Sequence, residues 1–352
     1  MAEKTMRCLI KHHAGEGLDL VERPIPEPGP RQVRIRVTTA GICGTDRHIW
    51  EWDAWAAGRV PVGTITGHEF VGEVDAVGEA VVRVTPGQRV SAEGHISAGR
   101  DYNSRTGNAH IAEDTEIFGI DRDGCFAEYL VVPEENVWPV HPDLPDRLAA
   151  VFDPLGNAVH TVMAANVSAK TVLITGVGII GLMAVTVARA AGAARIFVSD
   201  IDPRRLALAK KLGAEAAYDG KQEGWIEELR ATTLSKHGVD VLLEMSGAAP
   251  AIDQGFRALR SGGTAALLGL PAKKLTFDFN EHIIFKGCTV LGINGRKMWE
   301  TWYQTEALLL SGRLELDDII THRYPLSEYQ AGFDTMISGE GIKVLLGIGA
   351  PG

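Results

Sequence analysis

Cysteine is scarce in this chain, with four in 352 residues, at Cys8, Cys43, Cys125 and Cys288. Spacing that wide does not build a disulfide framework, and the chain reads as a reduced, cytoplasmic protein. Long apolar runs are missing as well. Each candidate is cut by Gly, Lys or Arg before the ~20 residues a membrane-spanning helix needs, so no membrane partner is expected. The first residues, Met1-Ala-Glu-Lys-Thr-Met-Arg7, lack the apolar stretch of a secretory signal. Positive charge is in deficit: 35 Lys and Arg against 45 Asp and Glu leave a net −10. With no basic run, that balance argues against a nucleic-acid partner. Internal repeats and low-complexity tracts are absent too. What is abundant is glycine, 40 residues, within a 45% apolar composition. That length and composition predict a globular protein of two domains.

Residues 6–150 read as β-rich. Arg34-Ile-Arg-Val-Thr-Thr39 alternates, and Phe70-Val-Gly-Glu-Val-Asp-Ala-Val-Gly78 and Phe126-Ala-Glu-Tyr-Leu-Val-Val-Pro133 follow. Pro and Gly punctuate them, as in Arg23-Pro-Ile-Pro-Glu-Pro-Gly-Pro30, marking turns. Near residue 160 the pattern changes to short β-branched runs alternating with helical ones. Thr171-Val-Leu-Ile-Thr175, Arg195-Ile-Phe-Val-Ser-Asp200, Val239-Asp-Val-Leu-Leu-Glu244 and Gly263-Thr-Ala-Ala-Leu-Leu-Gly269 are the strands. This predicts an α/β chain with a doubly wound parallel sheet. The expected division is a β domain over 1–158, completed by 295–352, around a nucleotide domain over 159–294.

Gly176, Gly178 and Gly181 have Gly-x-Gly-x-x-Gly spacing, with a strand before them and a helix after. The first glycine permits the tight turn, the second lets backbone approach a pyrophosphate, and the third lets helix pack on strand. Asp200 closes the next strand, where its carboxylate would accept adenine-ribose hydroxyls and repel a 2′-phosphate. NAD is therefore expected over NADP, although Arg204 and Arg205 stand nearby.

Cys43, in Gly-Ile-Cys-Gly-Thr-Asp-Arg-His, and His68-Glu69, in Gly-His-Glu-Phe, each sit on a glycine-flanked turn. Thiolate, imidazole and carboxylate are the donors of an open zinc site. Taken singly, the cysteine reads first as a small hydrophobe and the histidine as a structural residue; their shared glycine-turn settings and the adjacent Glu69 turn the reading toward a metal site. Asp153, in Phe-Asp-Pro-Leu-Gly-Asn157, is a further carboxylate that could ligate or support such a site. Thr45 and His48 follow Cys43 on an expected helix start. They read either as a proton relay or as a helix cap and a surface histidine.

Several longer motifs go beyond these. They include Ile42-Cys-Gly-Thr-Asp-Arg-His48, Gly67-His-Glu-Phe-Val-Gly-Glu73, Glu93-Gly-His-Ile96 and Gly124-Cys-Phe-Ala-Glu-Tyr-Leu130. Phe152-Asp-Pro-Leu-Gly-Asn-Ala-Val-His-Thr161, Leu243-Glu-Met-Ser-Gly247, Glu300-Thr-Trp-Tyr303 and Ile320-Thr-His-Arg323 continue the series. On these the chain resembles the zinc-dependent medium-chain dehydrogenases almost end to end. The resemblance implies a GroES-like β-rich catalytic domain and a Rossmann NAD domain. It implies one catalytic zinc on Cys43, His68 and Glu69, a relay through Thr45 and His48, and Asp153 in support. Cofactor contacts would fall on Ile180, Asp200, Arg205, the Leu268-Gly269-Leu270 turn and Ile293-Asn294, with His95 on the substrate side.

The narrower motifs imply oxidation of the 3-hydroxyl of L-threonine, in a homotetramer. A polyol or 2,3-butanediol dehydrogenase is the nearest alternative, and a zinc-free dinucleotide-binding reductase or structural protein a more distant one. One departure stands out. The family usually holds a second, structural zinc on four cysteines after Glu-Gly-His-Ile, and the equivalent places here hold Ala98, Asp101, Ser104 and Ala112. No structural zinc is expected, and the lobe Gly94–Phe118 must be held by other contacts or be mobile.

Overall fold

The computed structural model describes residues 4–349. The chain divides into two compact units, one of Met1–Pro154 with Ile320–Gly352, the other Leu155–Ile319. No helix among the described residues is long and apolar enough to cross a membrane.

The first unit is built on a seven-stranded sheet. Its spatial order is Ile320–Pro325, Lys343–Gly347, Gln32–Gly41, Glu69–Val77, Arg89–Ala92 and Val137–Pro139, with Tyr129–Pro133 also paired to Gln32–Gly41. The alternation read in Gln32–Gly41 appears as alternate burial, with Val33, Ile35 and Val37 wholly inside. Each such side chain contributes ~1.5–3 kcal/mol of burial. Phe70, Phe126 and Phe333 fill the same core, where Trp50 stacks on Phe333 at 4.5 Å. The register sets Gly41 opposite both Glu69 and Leu345. Three distant segments are thereby fixed side by side where the strand Gln32–Gly41 ends.

The second unit holds a six-stranded, all-parallel sheet. In space its order is Ala216–Asp219, Arg195–Asp200, Thr171–Thr175, Val239–Glu244, Leu259–Leu267 and Thr289–Gly292. Chain order reverses between Thr171–Thr175 and Val239–Glu244, and the carboxyl ends of strands at such a reversal form a ligand crevice. The helix Ile179–Ala190 starts from Gly178 as N-cap and buries all residues from Gly181 to Ala188. The next helix, Pro203–Lys211, is started by Asp202, whose carboxylate accepts from Arg204 N at 2.9 Å, with Pro203 in the first turn.

The boundary expected at residue 295 lies elsewhere: residues 295–319 belong to the nucleotide unit. Arg189 pairs with Glu315 at 3.0 Å and Lys211 with Asp318 at 2.6 Å, tying this segment to the two helices just named. Charge pairing across so many residues leaves no trace in hydrophobic periodicity, which explains the misplaced boundary.

Candidate metal and nucleotide sites

Cys43 is the extended residue at which the strand Gln32–Gly41 gives way to the helix Gly44–Glu51. Asp46, third in that helix, accepts from the Cys43 N–H at 2.9 Å and locks the turn. Just before the facing strand Glu69–Val77, Gly67 has φ +88°, and a Cβ there would strike the Phe126 ring. Only glycine lets the chain turn there and deliver His68 and Glu69. The ligand atoms of Cys43, His68 and Glu69 lie within 4.8 Å of one another, with the cysteine half-buried and the other two buried.

The surroundings are strongly charged. Burial pushes the Asp46 carboxyl up to about 6 despite the nearby His68. Burial disfavours charge on His68, but Cys43 and then Asp46 outweigh it and raise the imidazole to about 10. Lys343, wholly buried, forms an ion pair with the equally buried Glu69 and donates to Ile42 O at 2.8 Å. A side chain at Gly41 would collide with both members of that pair. Among the described residues His68 Nδ1 and Glu69 Oε1 have no hydrogen-bond partner. Buried polar atoms left unpaired in a native fold call for an explanation. A borderline-soft cation taking one sulfur, one nitrogen and one oxygen supplies it, so these residues fit zinc.

Thr45 Oγ1 lies 3.8 Å from Cys43 Sγ. His48, one turn on, is exposed, and its Nδ1 meets Asp53 Oδ2 at 2.7 Å. Asp53 also caps the helix Ala54–Arg59; the Ala56 N–H, and after it His48, hold its carboxyl below the usual range. Asp153, in the first turn of the helix Phe152–Ala164, stays outside the three-residue cluster. Its charge nonetheless favours protonated His68. His95 is fixed by Glu93, which accepts from its ring at 2.7 Å and from its backbone N–H at 3.0 Å.

In the second unit, Gly176 has φ +82°, and a Cβ on it would meet Ser246. A Cβ on Gly181 would meet the Gly176 carbonyl, whereas one on Gly178 would meet nothing within 4 Å. The middle glycine thus faces open space at a helix N-terminus, the cradle a pyrophosphate needs. A cavity of about 510 Å³ takes in Gly176, Gly178, Asp200 and Arg205. The Asp200 carboxylate accepts from Val177 N at 2.7 Å, Ile201 N at 2.7 Å and Asp202 N at 3.0 Å. Three of the about four acceptor positions of a carboxylate are thus taken by backbone. Ile180, Leu268, Gly269, Leu270, Ile293 and Asn294 are not among this cavity's walls. The last five follow the carboxyl ends of Leu259–Leu267 and Thr289–Gly292, with Leu268 and Gly269 N–H both donating to Glu244 O.

Sequence reasoning missed several of these residues. Lys343 had a signal, a lone charge opening the apolar run Lys-Val-Leu-Leu. Asp46 had one in the capping spacing after Cys43. Met245 and Ser246, inside the motif Leu243-Glu-Met-Ser-Gly247 but given no role there, line the nucleotide cavity, as does Gln254, which no motif marks.

The lobe after His95 is ordered by hydrogen bonds. Asp101 accepts from Ser104 N at 2.9 Å and from Glu113 N at 3.3 Å. Ser104 and Ser97 hydroxyls meet at 3.0 Å, and Asp114 accepts from Ser97 Oγ at 2.8 Å and Ala98 N at 3.0 Å. Two of the four places where thiolates were sought, Asp101 and Ser104, are thus members of a polar ring.

Residues 29–143 match the family model described as alcohol dehydrogenase GroES-like domain, and residues 180–311 match that described as zinc-binding dehydrogenase. The chain is 46% identical to L-threonine 3-dehydrogenase of Pyrococcus horikoshii over 346 residues, covering 98% of this chain and 99% of that protein. A chain from Sinorhizobium meliloti 1021, assigned as a zinc-binding dehydrogenase and solved with NADP, superposes with a TM-score of 0.89. The identity is 31%, over 98% of this chain and 99% of that one. The 2R,3R-butanediol dehydrogenase of Bacillus subtilis gives a TM-score of 0.88 at 26% identity, covering 97% of this chain and 99% of its own.

Proposed function

This chain belongs to the zinc-dependent medium-chain dehydrogenases, and from that premise we propose that it is an NAD-dependent enzyme oxidising the 3-hydroxyl of L-threonine. The reaction takes L-threonine and NAD to 2-amino-3-oxobutanoate, NADH and a proton. The observation that carries the chemistry is the convergence of Cys43, His68 and Glu69 within 4.8 Å. The near-full-length likeness to L-threonine 3-dehydrogenase carries the substrate.

A zinc ion on Cys43, His68 and Glu69 would supply a Lewis acid for the substrate hydroxyl, and NAD in the glycine cradle would take the hydride from C3. Thr45 Oγ1, beside Cys43 Sγ, would receive the hydroxyl proton and pass it along its helix face to His48. His48 is exposed, and Asp53 accepts from its Nδ1, which leaves Nε2 to exchange protons with water. Asp153 supports the metal site through its charge. Glu93 fixes the ring of His95, which we assign to the substrate side. Ile180, Arg205, the Leu268-Gly269-Leu270 turn and Ile293-Asn294 are assigned to the cofactor along with the glycines. Asp200 selects NAD by repelling a 2′-phosphate.

We further propose one zinc per chain, a homotetramer and a cytoplasmic setting. The first follows from the lobe, where Ala98, Asp101, Ser104 and Ala112 offer no thiolate. Metal analysis of the purified protein should give about one zinc per chain. The deciding experiment is NAD reduction with L-threonine beside sorbitol and 2,3-butanediol, before and after chelation. Chelator-sensitive turnover selective for L-threonine is expected. Turnover of a diol instead would keep the fold and metal and overturn the substrate. Replacing Cys43 with Ser should abolish oxidation and zinc binding while leaving NADH affinity, read by nicotinamide fluorescence, unchanged.

A further inference from the structure

The parallel sheet has a second cavity, at the end where its strands begin. It measures about 750 Å³, and its walls include Thr171, Arg230, His237, Asp240, Arg260 and Lys286. Thr171 opens the strand whose far end leads into Gly176, so this cavity and the nucleotide cradle are separated by roughly 16 Å of strand.

Nearly every polar group here has a partner. Lys286 donates to Leu259 O at 2.6 Å and to Phe256 O, closing the last turn of the helix Ala249–Ala258. Arg260 Nε meets Asp240 Oδ1 at 2.7 Å, and Arg260 Nη1 donates to Ser261 O at 2.8 Å. The other Asp240 oxygen accepts from Thr171 N at 2.8 Å. Arg230, in the last turn of the helix Trp225–Thr232, is different. Its Nη2 makes only a long contact, 3.5 Å, to His237 O. Its Nε is buried with no acceptor among the described residues. Burial, and then the charge of Arg230, push the Lys286 amine below its usual range. Three cations therefore face one carboxylate that is already doubly engaged, in a chain whose net charge is −10.

We propose that this cavity binds a small oxyanion-bearing metabolite, with Arg230 as its anchor. A guanidinium is a planar, permanently charged set of donors that matches the oxygens of a phosphate or carboxylate. The cavity volume suits a small molecule rather than a lone ion. The site is independent of the dehydrogenase reading, since it shares no residue with the metal or nucleotide sites.

The test is calorimetric titration of the zinc-loaded, full-length protein with inorganic phosphate, and separately with succinate. Saturating NADH is present to occupy the pyrophosphate cradle. One site per chain for either anion is expected. Arg230→Ala should weaken it roughly tenfold or more, the worth of one charge-assisted hydrogen bond, with NADH affinity unchanged. Arg260→Gln, which keeps the long stem, serves as a second variant should Arg230→Ala fail to fold, and should weaken binding in the same direction. The difference between phosphate and succinate tells which oxyanion the pocket takes. If neither anion binds once NADH is present, or if the variants bind as the parent does, the cations serve only the helix ends and the proposal fails.

Discussion

Lys343 and Glu69 are both shut off from water, so neither tolerates loss of the other. Lys343→Met should destabilise the metal-free protein by about 3–5 kcal/mol, because a carboxylate is left buried and uncompensated. The double variant Lys343→Met with Glu69→Gln should regain much of that loss; denaturant unfolding measures both. Asp200 raises a separate question, because backbone N–H groups already occupy most of its oxygen positions. Its charge matters as much as its hydrogen bonds. Asp200→Asn removes the repulsion toward a 2′-phosphate, and the ratio of kcat/KM for NADP over NAD should rise by roughly tenfold. Full conversion is not expected, since Asn offers one acceptor oxygen to a turn that uses two. Cys43, His68 and Glu69 were legible from donor chemistry and glycine flanks together with the family resemblance, and the structure brings them together. Lys343 was not, because its partner is set by sheet register rather than by neighbours in sequence.

A few helices here begin with side chains that bond to backbone, and two of them stand beside the candidate sites. Cys43 heads one; Asp202 heads the helix bearing Arg204 and Arg205, with the Arg204 side chain holding its carboxyl down at about 2. The sign follows. With the folded value below the ordinary 3.8, the stabilisation is full above about pH 4 and is lost as pH falls toward 2. Asp202→Ala should cost about 1 kcal/mol at neutral pH, and the gap from the parent should close by pH 2. Thermal unfolding across that range reads it. The strands and helices around Gly176, Gly178 and Gly181 were plain in the sequence, since a strand, a glycine turn and a helix must follow in that order. The helix Glu300–Leu310 was legible as a helix but not as a member of the nucleotide unit. Its allegiance is set by long-range packing and charge pairs such as Arg189 with Glu315.

At the scale of the molecule, the two units divide the chemistry: a β sheet fixes the metal donors and a parallel sheet fixes the cofactor cradle. The fold class was readable from the change of period near residue 160, while the lobe of residues 94–118, within the first unit, had two expected outcomes. The structure shows the contacts of the first, through Ser97, Asp101, Ser104 and Asp114. Asp114→Ala should open this ring and expose residues 97–114 to limited proteolysis while NADH affinity stays unchanged. The ring also alters the timetable of maturation. Hydrogen bonds close as the chain collapses, whereas a thiolate cage waits for an ion to be delivered and for its sulfurs to escape oxidation. If the chain takes one zinc, as proposed, shape in this lobe is set at synthesis, insulated from the cell's metal supply and from peroxide.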